Sequence, residues 1–448
     1  MLKDFLYNFT GRIGAILIGL LRTFVVPNLL GPVYYGLLNL FGIFRTFLGF
    51  LDLGTSTAYY HHTADVMVKE NAEETVRKET SNYFSTQIWI NGIGITLALF
   101  IAYLLYPRYS DHSSIYITGI GSIILSHCFF RLNALARQQV LLEKRFKLMA
   151  GVTLLESAVG TLFAIIGAVT LSLVGVLIAQ PLEQLVSCVA YLRKTGGIPR
   201  IRWNLKESWN ILKFSFRYFY GSLSFVILRM ADRILIAGLL TMESLGYYSL
   251  AHAISENVKT FIASLHEVLN PRITQKIASA EKLTDLTDEI QSQTRLLFGL
   301  ILYLNANALI LSKAIIYILP KFGDSIEVFR ILIISLTVAL FALYPSLLIN
   351  SRRVGKAAVQ SNATIVSSLV NVSVSYSLIL MGYGIIGVAI GTLLSNILMT
   401  AFSFAYMHFY ILEKQIPASY FGSMLIPFAI LAILYYFRDE SIWVLLTA

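Results

Sequence analysis

The feature that most constrains this chain is its series of apolar runs, each about 20 residues long, separated by short polar segments. A bilayer core offers no water to backbone amides, so only helices or closed barrels cross it. Barrel strands alternate apolar and polar residues over about ten positions, and these runs do not. Of the 448 residues, 56% are hydrophobic and only 13% charged, against about 25% charged in soluble domains. The chain therefore reads as an all-α polytopic membrane protein. Spans are expected at 9–30, 34–58, 83–106, 114–136, 149–171, 174–193, 214–240, 246–269, 295–319, 326–349, 362–382, 385–409 and 418–437. The apolar end at 439–448 is too short to cross and reads as the start of a fourteenth helix. The first run contains Arg12 and Arg22 and no small-residue cleavage site, so it reads as a span and not as a cleaved signal.

Orientation follows from where the basic residues fall. One set of loops carries Arg77 and Lys78, then Arg137, Arg145 and Lys147, then Arg193, Lys194, Arg200 and Arg202, then Arg352, Arg353 and Lys356. The opposite set holds essentially Arg108, Lys321 and Arg438. Positive residues stay inside, which places the N-terminus in the cytoplasm. The outward loops are short, so no external domain is expected.

Four parts are expected: a six-helix bundle over 1–194, an amphipathic linker over 195–213, a second six-helix bundle over 214–409, and an additional helix and tail over 410–448. The linker carries Trp203, Leu205, Trp209 and Leu212 among basic residues and suits the cytoplasmic membrane surface. The halves match weakly in sequence. Leu29-Leu30, Gly36 and Leu40 return about 210 residues later as Leu239-Leu240, Gly246 and Leu250. Both halves start on the same side, so the repeats are parallel, and two such bundles around a central cavity form a transporter architecture.

Charged residues inside spans are expensive and turn toward a cavity or the bundle interior. Spans 1, 2, 7 and 8 are the polar ones: Arg12 and Arg22; Arg45 and Asp52; Arg217, Arg229, Asp232 and Arg233; His252, Glu256, Lys259 and His266. Arg229 and Arg233 share a helix face with Asp232 in reach of Arg229. His252, Glu256, Lys259 and His266 form one stripe. Arg22, Arg45, Arg229 and Arg233 are the expected cavity cations, and Asp52, Asp232 and Glu256 either position arginines or carry coupling ions. Arg131 and Glu156 suit an ion pair inside the first bundle, Glu183 either pairs likewise or titrates, and Lys313 and Arg330 suit snorkelling anchors.

A cationic cavity calls for an anionic substrate, and arginine suits phosphate because its planar fork bonds two oxygens and never titrates. The chain has no Walker motif, metal-ligand spacing or nucleophile–base arrangement. No cofactor, metal, nucleic acid or enzymatic activity is therefore expected. Cys128 and Cys188 indicate no disulfide framework.

At this point the residues resemble a known family. Leu30-Gly31-Pro32-x-x-Tyr35-Gly36, Asp52-Leu53-Gly54, Asp232 and Gly246-x-Tyr248-x-x-Ala251 are similar to the polysaccharide-exporter flippases of the multidrug/oligosaccharidyl-lipid/polysaccharide (MOP) superfamily. Those proteins move undecaprenyl-diphosphate-linked sugars across bacterial membranes. The chain departs from them at Tyr59-Tyr60-His61-His62, where such proteins often place an arginine. The resemblance implies a V-shaped cavity lined by spans 1, 2, 7 and 8 that opens alternately to either side of the bacterial cytoplasmic membrane. It implies a lipid-linked oligosaccharide as substrate, held at its diphosphate by Arg22, Arg45, Arg229 and Arg233. A polymerase and chain-length machinery would be partners, and O-antigen lipopolysaccharide, capsule or exopolysaccharide the product. The alternatives are a drug/cation antiporter of the same superfamily, which would favour carboxylates, and a membrane polysaccharide polymerase or ligase, which would carry a large external loop.

Overall fold

The computed structural model describes residues 2–66, 72–107, 113–143, 145–195, 197–202, 204–279, 287–350 and 354–412, and among these all regular structure is helical. In order the helices are α1 (Leu2–Phe50), α2 (Thr55–Val66), α3 (Ala72–Leu105), α4 (Ser113–Leu142), α5 (Phe146–Thr195), α6 (Leu205–Leu239), α7 (Met242–Ser279), α8 (Thr287–Ile310), α9 (Ala314–Ile318), α10 (Ser325–Phe341), α11 (Leu343–Asn350), α12 (Ala357–Leu380) and α13 (Gly384–Tyr406). Among the described residues six stretches are long and apolar enough to cross a membrane, two of them of double length: Ile13–Phe50 and Phe146–Thr195. The expected span at 418–437 lies outside the described residues.

The double-length helices are broken. A straight helix of 50 residues would be about 75 Å long, more than twice the thickness of a hydrocarbon core. The break in α5 falls at Ser172, whose backbone (φ 55°, ψ −134°) leaves the helical region, between the two spans expected there. A Cβ on Gly167 would stand 2.5 Å from the carbonyl carbon of Gly175, and one on Gly175 would stand 2.2 Å from the Gly167 oxygen. The two segments of α5 therefore fold back on each other with their backbones nearly touching. Small residues permit this approach, which in lipid replaces the hydrophobic effect as the source of helix–helix attraction. In α1 the break falls at Gly31 (φ 74°, ψ 172°).

The chain divides into two compact units. Unit 1 comprises 1–30 and 37–223; unit 2 comprises 31–36 and 224–448. In unit 1 the expected second span, 34–58, is not one helix. Its helix stops at Phe50 and restarts at Thr55, because Leu53 adopts a positive φ of 45° and the Asp52 carboxylate accepts from the backbone N of Ser56 (3.4 Å) and from its hydroxyl (2.8 Å). Asp52 thus caps α2.

The segment expected as a surface linker, 195–213, belongs to unit 1. Ser81 donates to the Arg200 carbonyl, the Arg202 N–H donates to Ser85 (2.7 Å) and Asn82 donates to Glu207 (2.6 Å). Leu205 and Trp209 remain exposed, as an amphipathic start to α6 requires. The sequence signal missed here is the polar face of α3. Ser81, Asn82, Ser85, Thr86 and Asn91 are buried while Leu97, Phe100, Tyr103 and Leu104 are exposed, the inside-out pattern of a membrane helix.

Unit 2 repeats that pattern in α12, where Gln360, Thr364, Ser368, Asn371 and Ser375 are buried and Val366, Leu369 and Leu380 exposed. Within this unit the Gly31–Gly36 segment lies against the start of α7. A Cβ on Gly36 would stand 1.8 Å from the Met242 oxygen, and one on Gly246 would stand 2.0 Å from the Pro32 oxygen. These two glycines are the repeat-related pair read from the sequence, and each is needed because backbone occupies the place of its side chain. Arg330, expected to snorkel, is instead buried, bonding Glu327 (2.7 Å) and Ser312 (3.0 Å).

Because the obstructing atoms are backbone, Gly175→Ala should destabilise the α5 hairpin by about 1–3 kcal/mol. The check is the unfolding midpoint of the purified protein in detergent, with Gly151→Ala, at a helical position open to space, as the control that should leave it unchanged or raised.

Candidate functional site

The polar side chains of unit 1 form two distinct clusters. The first is built by α1 and α5. Arg22 donates to Glu183 at 2.7 Å, both side chains being partly exposed. Arg45, on the other segment of α1, is exposed and forms no ion pair among the described residues. Glu183, Arg22 and Glu156 nevertheless lie close enough to act on its charge. Glu156 accepts from Gln184 at 3.0 Å. The hairpin of α5 brings Glu156 and Glu183 to one place, and the two segments of α1 bring Arg22 and Arg45 there. The sequence singled out all four residues, but it did not foresee that the carboxylates would face these arginines. The available signal was the position of Glu156 and Glu183 on either side of the break between spans 5 and 6.

The second cluster centres on Asp52. Arg131, buried on α4, donates to Asp52 at 2.6 Å and to the Gly49 carbonyl at 2.9 Å. Thr55 and Ser56 donate to the same carboxylate. The partner anticipated for Arg131 was Glu156, and Asp52 was expected either to position an arginine or to carry a coupling ion; the structure pairs Asp52 with Arg131. Through these contacts Asp52 holds a helix start and a buried arginine in place.

In unit 2 the corresponding carboxylate is Asp232 on α6, 4% exposed. It accepts from Tyr248 of α7, from Asn371 of α12 at 2.7 Å and from Thr392 of α13 at 2.8 Å. Four helices thus meet at one carboxylate through neutral donors. Arg233 is half-buried beside it and its Nε finds no partner among the described residues. The side chain of Arg229, expected to pair with Asp232, lies outside the described residues, as does that of His266. On α7, Glu256 pairs with Lys259 at 2.9 Å, and the His252 ring lies 6.4 Å from Tyr248. Of the expected stripe, then, the acid and the base neutralise each other. Among the described residues no group of three or more His, Cys, Asp or Glu side chains converges as a metal site would.

A family model described as "Polysaccharide biosynthesis protein" matches residues 25–298, well over half of the chain. The chain belongs to this family. Its fold is that of MOP transporters. A multidrug resistance MATE family transporter of the MOP superfamily, inward-facing, superposes with a TM-score of 0.67 at 15% identity, covering 90% of this chain and 96% of that one. The lipid II flippase MurJ, in an inward closed conformation, gives 0.69 at 16% identity, with 100% and 95% covered. A MOP superfamily transporter from Pyrococcus furiosus gives 0.58 at 15%, with 93% and 96% covered. No curated protein matches the chain. The family member described here is thus a multi-pass membrane protein with a transporter fold.

If Asp52 holds Arg131 structurally, Asp52→Ala strands a buried guanidinium and should cost about 3–5 kcal/mol. Replacing both residues, Asp52→Ala with Arg131→Met, should restore part of that loss. Unfolding midpoints of the single and double variants check this; an Asp52→Ala protein as stable as the parent would contradict the structural role.

Proposed function

We propose that this protein is a flippase that carries an undecaprenyl-diphosphate-linked oligosaccharide outward across the bacterial cytoplasmic membrane by alternating access, with its N-terminus in the cytoplasm. The family supplies the polysaccharide context, and a lipid flippase is among the proteins sharing its fold. The observation that carries the reading is Arg45: an arginine inside an apolar helix, exposed and without an ion pair among the described residues, beside a second arginine, Arg22. An unpaired guanidinium at that depth is costly unless it serves a ligand. A planar fork with fixed charge fits the paired oxygens of a lipid-linked diphosphate. Arg229 and Arg233 complete the proposed substrate set from the second half of the chain.

The membrane potential favours export of an anion by about 2.3 kcal/mol per charge per 100 mV, so ATP is not required. Among the candidates for ion coupling we assign Asp232. Asp52 is bonded to Arg131 and Glu256 to Lys259, whereas among the described residues Asp232 accepts hydrogen bonds from neutral donors. A cation antiporter is the second reading, and Glu156 and Glu183 beside the arginines are what favours it. The glycan, its polymerase and its chain-length partners belong to the proposal, as O-antigen, capsule or exopolysaccharide assembly.

Arg45→Ala should lower transbilayer movement of an undecaprenyl-diphosphate oligosaccharide in proteoliposomes by tenfold or more, the loss of one charge-assisted bidentate contact being worth about 1.5–3 kcal/mol. Arg45→Lys should recover a part only. Unchanged flipping by a normally folded Arg45→Ala protein would remove the diphosphate reading. Transport of an organic cation with Glu183→Gln inactive would establish the antiporter instead.

A further inference from the structure

The arginine cluster of unit 1 is not purely cationic. Arg22 and Arg45 face Glu183 and Glu156. A diphosphate approaching this group meets carboxylates as well as guanidinium groups, and at Arg22 it meets a guanidinium already bonded to a carboxylate oxygen at 2.7 Å.

The place of that carboxylate is built into the fold. Glu183 lies on the returning segment of α5, and its carboxyl group sits against Gly160 of the first segment, where a Cβ would come within 2.5 Å of Oε2. Its partner is also accessible, since about 29% of the Arg22 side chain and 19% of the Glu183 side chain are exposed. The charged groups around it come from each neighbouring element: Arg22 and Arg45 from α1, Glu156 from the first segment of α5, and Arg137 from α4, which acts on Glu156. Glu156 is held by Gln184, which leaves Glu183 as the carboxylate in direct competition for a guanidinium fork.

We propose that Glu183 is a built-in counter-anion: it holds Arg22 in the empty protein, and a diphosphate-bearing lipid displaces it while Glu183 takes up a proton. The exchange balances. One Arg–carboxylate pair breaks, one Arg–phosphate pair forms, and one proton moves from water to the released carboxyl group. Two carboxylates left ionised and unpaired beside a bound diphosphate would place like charges together, and protonation of one removes that conflict. This inference rests on the diphosphate-lipid reading above. It adds to that reading the residue that makes binding depend on pH: acid favours the diphosphate, because protonating Glu183 frees Arg22, and alkali favours the empty, paired state.

The test uses the full-length protein in detergent micelles with geranylgeranyl diphosphate as the probe, titrated calorimetrically between pH 6 and pH 8. Glu183→Gln should bind at least tenfold tighter at pH 8. The wild type should lose affinity with rising pH by up to tenfold per unit more than Glu183→Gln, which corrects for ionisation of the probe itself. In an Arg22→Gln background, Glu183→Gln should give no such gain, since the guanidinium it competes for is gone. Equal affinity and equal pH slope in wild type and Glu183→Gln would overturn the proposal, as would a gain that survives in Arg22→Gln, which would mark a general charge effect. Should Glu183→Gln not fold, wild-type titrations in two buffers of different ionisation enthalpy count the protons taken up, and a count of zero overturns it. Failure of the probe to bind wild type at any pH would overturn the diphosphate reading itself and this inference with it. Binding without proton linkage overturns the inference alone.

Discussion

A bilayer gives a side chain nothing to bond to, and the arrangement of this protein depends on that constraint more than on any single contact. Serine, threonine, asparagine and glutamine residues within the spans turn inward and bond each other or a carbonyl one turn back. Thr364 to Gln360, Ser368 to Thr364 and Thr86 to Asn82 are examples, while on the same helices Leu97, Phe100, Leu369 and Leu380 face outward. The helices are therefore held by polar stripes and close glycine contacts as well as by packed apolar clusters such as Tyr59, Tyr83, Phe84 and Leu135. Charge obeys the same rule at higher stakes, and each buried ion is answered by a partner from a different helix or from its own next turn.

That rule sorts the charges. Arg131 with Asp52 and Arg330 with Glu327 involve deeply buried guanidinium groups. They fix a helix restart and the packing of α10. Arg22 with Glu183 has the same bond length as Arg330 with Glu327 but both partners are reachable from outside, and a second arginine and a second carboxylate stand beside it. Exposure of the partners, more than the strength of the pair, separates a structural ion pair from one that can be exchanged for a ligand. Asp232 belongs to neither group, since its hydrogen bonds among the described residues come from hydroxyl and amide donors.

Apolar length is a local property, so the six stretches long and apolar enough to cross a membrane among the described residues were legible in the sequence, and the break at Ser172 fell between two expected helices. The restart at Thr55 was not, since Asp52 reads as an intramembrane charge until its capping of Ser56 is seen. Which residues carry charge at depth was equally legible, and which partner each takes was not. Spacing along one helix restricts partners at three or four residues, as it does for Glu256 and Lys259. Asp52 and Arg131 are 79 residues apart, and Arg22 and Glu183 are 161 apart. A cation list compiled from single helices therefore overstated the positive character of the site, because the neutralising carboxylates arrive from α5.

The carboxylate beside Arg22 alters the energetics of the proposed transport. Counting the Glu183 proton alone, apart from any ion carried at Asp232, a diphosphate with about two negative charges moves about one net negative charge outward. The membrane potential then contributes about 2.3 kcal/mol per 100 mV where a bare diphosphate would draw twice that. A cytoplasm more alkaline than the exterior opposes the accompanying proton by about 1.4 kcal/mol per pH unit. Export stays downhill as long as the potential outweighs the pH difference, and the margin is smaller than an all-arginine site would provide. In return the empty protein carries no unpaired charge at Arg22 during its return, which lowers the cost of passing a desolvated guanidinium through the apolar part of the cycle. The counter-anion thus exchanges part of the driving force for a cheaper return step, a balance that an arginine cluster without carboxylates would not possess.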